Sequence, residues 1–254
     1  MNLRVLGCSG GIGAGHRTTS FLVDHDILID AGSGVGELTL PEMAEIRHVF
    51  VTHSHLDHIN FIPLLVDTIF SLVKKPLVVH GQAVTLKALQ DHIFNWVIWP
   101  DFSKLPTPER PVLTFCEMVP GQALDVDGRT VEMIPVNHAV PAVGYRVSKG
   151  KKAFAYSGDT SSNDSLWAAL NAHDSLDLLI VETAFPNHKE HLAGLAGHYC
   201  PKTFAADIVK LKHDAKIFLT HLMPGEEDRI LAELKVLVPG RNLQRLSANG
   251  HFRL

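Results

Sequence analysis

His53-Ser54-His55-Leu56-Asp57-His58 places three imidazoles and one carboxylate within six residues. The run before it, His48-Val49-Phe50-Val51-Thr52, is apolar and β-prone, and from Ile59 to Val73 apolar residues recur at helical spacing. The motif therefore belongs on a strand-to-helix turn, where His53 and His55 can point one way and Asp57 and His58 another. Imidazole nitrogens and carboxylate oxygens suit Zn²⁺ or a similar divalent ion, and mixed sets with open positions are typical of catalytic sites. Four such side chains exceed what one tetrahedral ion takes from so short a segment, so the density points to two ions side by side. The chain has 16 histidines, and an isolated pair would be an ordinary surface or core feature. The whole array at a strand end carries the metal reading.

The 254 residues fit one large domain with a substantial core. With 46% hydrophobic and 20% charged residues the composition is that of a soluble globular protein. A net charge of −4 and the lack of a basic run argue against a long nucleic acid held by its phosphates. A small anionic substrate remains compatible, because metal ions supply positive charge locally. Cys8, Cys116 and Cys200 are odd in number and lack metal-finger spacing, which fits free thiols in a reducing compartment. The first residues enter a strand without a secretory signal, and no stretch reaches membrane-spanning length, so a cytoplasmic location without membrane contact is expected.

Strands are expected at Leu3–Leu6, Ser20–Val23, Ile27–Asp30, Val49–Val51, Leu77–His80, Val112–Glu117, Thr130–Val136, Gly144–Ser148, Ala153–Ser157, Leu176–Glu182, Lys216–Thr220 and Leu243–Ser247. Helices are expected at Ile59–Leu72, Ala83–Asn95, Asp164–Asn171, from Pro201 to about Lys212, and at Glu226–Leu237. The glycine-rich loop Gly7–Gly15 lacks the Gly-Lys-Ser/Thr ending of a phosphate loop, so its glycines serve close backbone passage or a sharp turn. Residues 96–110 hold three prolines and little periodicity and read as a surface loop or cap. The apolar Trp96–Phe102 stretch within it is a candidate homodimer contact. No linker splits the chain and no internal repeat is readable, so the expectation is an α/β architecture of two packed sheets with helices outside.

Further ligand-type side chains follow apolar strands: His138 after Val131–Val136, Asp159 after Phe154–Gly158, and His221 after Ile217–Thr220. Singly each reads equally well as a capping aspartate or a satisfied histidine. Together they supply what the first motif lacks. At this point the chain resembles the metallo-β-lactamase superfamily over almost its full length. The resemblance rests on Asp30-Ala31-Gly32, His53–His58, Asn137-His138, Ser157-Gly158-Asp159-Thr160, Thr220-His221 and Asn249-Gly250. It implies an αββα sandwich with a dinuclear site at one edge. By position it implies one ion on His53, His55 and His138, another on Asp57, His58 and His221, with Asp159 bridging. Asp30 would orient the ligand loop. The ions would be Zn²⁺, with Mn²⁺ or Fe²⁺ also accepted by such a donor set.

Two ions about 3.5–4 Å apart activate water and clamp both oxygens of an in-line phosphoryl displacement. The leaving alkoxide then needs a proton or positive charge. Glu182, ending a strand, and His198, before Tyr199-Cys200-Pro201, stand outside the metal set as candidates. A helix N-terminus lowers a histidine's pKa, and a carboxylate partner would offset this. Glu182, His198 and Asp57 are the expected catalytic residues. The Glu–His pair resembles the phosphodiesterase branch, including tRNA-processing endonucleases and class II cyclic-nucleotide phosphodiesterases. Gly7–Gly11, His53–Ile59 and the His198–Pro201 block look closer to class II. That resemblance implies a small anionic phosphodiester substrate, 3′,5′-cyclic AMP or GMP, opened to the 5′-monophosphate. Phe61, Pro63 and Asp67 depart from the class II pattern, which has a small residue at the first of these places.

Three alternatives remain. A tRNA 3′-end endonuclease or other small cyclic-phosphate hydrolase would use the same site, but the compact Tyr145–Ser157 span leaves no room there for a tRNA-gripping arm. A flavodiiron-type oxidoreductase would carry a carboxylate where His55 stands. A non-catalytic scaffold would have lost ligands, whereas all seven positions are filled.

Overall fold

The computed structural model describes residues 1–254. The first half contributes β1 (Asn2–Gly7), β2 (Ser20–Val23), β3 (Ile27–Ile29), β4 (His48–Phe50), β5 (Leu77–Gly81), the short hairpin β6 (Pro106–Thr107) and β7 (Arg110–Pro111), and β8 (Leu113–Glu117). The second half adds β9 (Ala123–Val126), β10 (Arg129–Val136), β11 (Ala142–Lys149), β12 (Lys152–Tyr156), β13 (Leu178–Glu182), β14 (Lys216–Thr220), β15 (Leu243–Arg245) and β16 (His251–Arg253). The helices are α1 (Leu40–Glu45), α2 (Leu56–Ile59), α3 (Phe61–Ile69), α4 (Ala83–His92), α5 (Ser165–Asn171), α6 (Glu190–Ala196), α7 (Pro201–Ile208) and α8 (Glu227–Leu237).

Two seven-stranded sheets result, in the orders β16-β1-β2-β3-β4-β5-β8 and β15-β14-β13-β12-β11-β10-β9. Strand side chains alternate between faces, and here both faces are apolar. Phe21, Val23, Ile27, Ile29 and Phe50 point inward to meet Met133, Val143, Tyr145, Phe154, Tyr156, Leu178 and Ile180 of the other sheet. The alternate residues Leu22, Leu28, Val49 and Val51 point outward under Ile62, Leu65, Val66 and Ile69 of α3 and Leu86 and Leu89 of α4. On the far side Leu179 and Val181 lie under Trp167 of α5, Phe204 of α7, and Ile230 and Leu234 of α8. Three separate cores therefore bind four layers, and the architecture is an αββα sandwich.

In each sheet an antiparallel meander gives way to parallel strands: β3, β4, β5 and β8 in one, and β12 to β15 in the other. Parallel strands align their carboxyl ends along one edge, where open α/β sheets place their ligands. Asp30, the His53–His58 motif, Asp159, Glu182 and His221 all sit at or just beyond such ends.

One expectation is corrected. The helix read over Ile59–Leu72 is two pieces that meet at Asn60. Pro63 has no N–H to give the carbonyl four residues back, and the Phe61 N–H bonds to the Ala31 carbonyl instead, at 2.9 Å. The 96–110 excursion, which includes β6, lies away from the metal-type cluster. α4 starts at the carboxyl end of β5 and carries the chain back to the amino end of β8. Phe102 anchors the excursion in the outer core, while Trp96, Val97 and Ile98 are exposed.

Candidate metal centre

The arrangement starts with Asp30, a buried residue in the left-handed region (φ 55°) directly after β3. Its carboxylate accepts the Thr52 N–H at 2.8 Å and the Thr52 hydroxyl at 2.9 Å. With that proton committed, the Thr52 oxygen can only accept from His53 Nδ1, 2.9 Å away. Asp30 Oδ2 also pairs with His58 Nδ1, at 2.7 Å. His138 Nδ1 donates to the Gly197 carbonyl at 2.8 Å. Each bond anchors Nδ1 and turns the Nε2 of His53, His58 and His138 towards the cluster. Outer partners of this kind characterise metal-binding histidines.

The freed atoms converge. His53, His55 and His138 form one group, and Asp57, His58, Asp159 and His221 another, with ligand-type atoms inside each group within 4.8 Å of one another. His138 Nε2 lies 3.2 Å from His55 Nδ1. Asp159 Oδ2 is 3.2 Å from His221 Nε2, 3.3 Å from His58 Nε2 and 3.7 Å from His53 Nε2, which places it between the two groups. Asp57 Oδ2 is 3.2 Å from His221 Nε2 and 3.4 Å from His58 Nε2. The buried atoms His53 Nε2, His58 Nε2 and Asp159 Oδ1 have no hydrogen-bond partner. Buried polar atoms left unpaired are costly, and a divalent cation is the partner this donor set fits.

Charge follows the same logic except at His58, where burial opposes protonation but the Asp159 and Asp30 carboxylates prevail and raise the imidazole well above the usual range. Burial keeps the His53 and His55 imidazoles below the usual range and pushes His138 down to about 4, so all three are neutral donors. Burial opposes ionisation of Asp159 and Asp57, yet the surrounding histidines hold both carboxyls below the usual range. Burial raises Asp30 against the pull of His58.

Glu182 and His198 stand beside the cluster. Glu182 is fully buried and accepts the N–H groups of Thr160 (2.9 Å) and Ala184 (3.0 Å). His198 Nδ1 meets Glu182 Oε1 at 2.8 Å. The His198 ring stacks on His221 with centroids 5.3 Å apart and lies 4.9 Å from His138. Burial works against charge on His198, but the adjacent carboxylate prevails and carries it up to about 9. Chain geometry sets this position: α6 ends on Gly197 in the left-handed conformation, and Pro201 opens α7.

All the residues singled out from sequence thus meet at one edge: His53, His55, Asp57, His58, His138, Asp159, Glu182, His198 and His221, with Asp30 behind them. Thr52, Gly197 and Thr160 also participate but were not read as site residues. Thr52 alone carried a sequence signal, as a hydroxyl beside the first histidine; the other two act through backbone atoms.

A family model described as the beta-lactamase superfamily domain matches residues 25–222. The chain is 26% identical over 220 residues to a probable 3′,5′-cyclic-nucleotide phosphodiesterase of Yersinia pestis, a match covering 75% of this chain and 62% of that protein. It is also 26% identical over 274 residues to a ribonuclease Z of Bradyrhizobium, covering 85% and 87% respectively. Among solved structures, unliganded yeast PDE1 superposes over 100% of this chain and 99% of its own, with a TM-score of 0.82 at 19% identity, a likeness of fold. No helix is long and apolar enough to cross a membrane. With the family model matched across both halves and the sandwich in place, the chain belongs to the metallo-β-lactamase superfamily.

Proposed function

We propose that this chain is a phosphodiesterase that opens 3′,5′-cyclic AMP or GMP to the 5′-monophosphate with two divalent ions, Zn²⁺ foremost. The observation that carries the reading is the Glu182–His198 pair, held at 2.8 Å against the ligand cluster. A phosphodiester needs help at its leaving oxygen, and this pair would supply a proton to it. The Yersinia relative's name agrees with the reading.

His53, His55 and His138 would hold one ion, and Asp57, His58 and His221 the other, with Asp159 shared. Two ions held there would supply an activated water and positive charge beside the phosphoryl oxygens. Asp57, with its side chain 35% exposed, is the cluster's open carboxylate and would take a proton from the attacking water. Glu182 fixes the His198 ring through Nδ1 and leaves Nε2–H for the leaving group. As the bond from phosphorus to the 3′ oxygen breaks, His198 passes that proton to the oxygen. A free 3′-hydroxyl and a 5′-phosphate result.

A second reading, RNA 3′-end cleavage, is favoured by the ribonuclease Z relative, most of whose length is matched. Against it, β11 and β12 join through a tight turn at Gly150, and the net charge is −4. Product analysis of metal-loaded protein on cyclic AMP, cyclic GMP, bis(p-nitrophenyl) phosphate and precursor tRNA separates the readings. Accumulation of 5′-monophosphate is expected. Intact cyclic nucleotides alongside cleaved tRNA or model diester would overturn the substrate assignment.

A further inference from the structure

The glycine-rich loop after β1 plays no part in the chemistry above, yet its path is tightly fixed. A Cβ on Gly10 would lie 2.5 Å from the His221 carbonyl oxygen, and one on Gly11 would lie 3.2 Å from the Pro224 ring. The loop therefore rests on the His221 side of the cluster and holds Ile12 outward, 75% exposed. Facing it is the segment from Gly32 to Glu37. Gly32 packs on Asp57, with a Cβ position only 2.2 Å from that residue's carbonyl oxygen. Gly36 packs on the Phe61 ring, its Cβ position 3.2 Å from the ring edge. A groove of about 480 Å³ opens between these segments, walled by Ile12 and Phe61, with Ser33 and the Arg17–Glu37 ion pair (2.8 Å) alongside. Two of the segments that line it reach the cluster: the loop through Gly10 against His221, and the Ser33 stretch through Gly32 against Asp57. Its size suits a small organic group, and its chemistry is an aromatic ring, an aliphatic tip and the His16 imidazole beside one paired cation and anion.

The geometry points to this groove as the seat of the substrate's nucleobase, stacked on Phe61 with Ile12 across from it. The inference rests on the reading of the site as one for nucleotide diesters. Base-on-aromatic stacking tolerates any base, and the Arg17–Glu37 pair offers both donors and an acceptor to a base edge.

The test is calorimetric binding of 5′-AMP and of ribose 5-phosphate, which lacks a base, to the metal-loaded protein. Wild type is expected to bind AMP at least about tenfold more tightly than ribose 5-phosphate. Phe61→Leu and Ile12→Ser should each erase most of that advantage and leave ribose 5-phosphate binding unchanged. Ile12 is too exposed for its replacement to unfold the chain. Equal affinities in wild type, or variants that weaken both ligands or neither, would overturn the inference. Turnover of cyclic AMP by wild type separates the two claims. A Phe61-dependent AMP preference without turnover preserves the groove and refutes the phosphodiesterase reading, and turnover without that preference does the reverse.

Discussion

Thr52 shows how little freedom the ligand side chains have. Its single hydroxyl proton goes to Asp30, so His53 must donate from Nδ1 and present Nε2 bare. Asp30 likewise anchors Nδ1 of His58, and the Gly197 carbonyl that of His138, so both rings turn Nε2 to the cluster. Asp30→Ala removes the acceptor for both Thr52 and His58. It should weaken metal binding about 10- to 100-fold, the usual cost of losing an outer partner, measured by competition with a chelator. Asp159→Ala deletes the oxygen between the two groups, and should abolish turnover and lower metal content by elemental analysis. His198→Ala should behave differently: kcat falls by about 10²- to 10⁴-fold, the range for a lost general acid, with metal content unchanged. Loss of metal from the His198 variant would instead make that residue structural.

The loops that follow the strands hold these side chains in place, and their glycines are specific. Gly158, one residue before Asp159, has φ 63°, and a Cβ there would sit 2.4 Å from the Val143 carbonyl oxygen. Gly158→Ala should cost at least about 1–2 kcal/mol for the left-handed conformation alone. The melting temperature and the metal content should therefore both fall; an unchanged melting curve would refute this account of the loop. The ligand loops were legible in sequence because each combines an apolar strand with a ligand-type residue just past its end, as in Ile217–Thr220 before His221. What stayed hidden has physical causes. The ends of α4 and α7 fall at His92 and Ile208, earlier than apolar periodicity implies, because periodicity marks a face and not a terminus. α1 escaped notice although Thr39 and Glu42 form a capping box with Pro41 inside it, a readable signal on too short a helix. β16 carries only three residues and exists through pairing with β1, a contact some 250 positions away that no local pattern encodes.

The two halves of the chain share one pairing scheme, antiparallel then parallel, although no repeat is visible in their residues. Each half alone supplies only part of the candidate cluster, so the cluster comes together only when the sandwich does. A buried ion pair also ties the halves together. Arg129, opening β10, donates from Nη2 to Asp26 Oδ2 at 2.8 Å, and both side chains are nearly fully covered. Arg129→Met leaves that carboxylate buried and unpaired, and should cost about 3–5 kcal/mol in chemical denaturation. Burial raises the Asp26 pKa, but the bonds and charge of Arg129 prevail and hold it below the usual range. A depressed folded pKa gives stability that is complete above the unfolded carboxyl value, about 3.9, and lost as pH falls below it. The gap between wild type and Arg129→Met should therefore be wide at neutral pH and narrow below about pH 4. The most direct test of the whole account is a titration of Zn²⁺ into chelator-stripped protein, with 5′-monophosphate release from cyclic AMP followed at each addition. Activity that rises to a plateau at two ions per chain is the predicted result. A plateau at one ion, or no release of 5′-monophosphate at any loading, would contradict it.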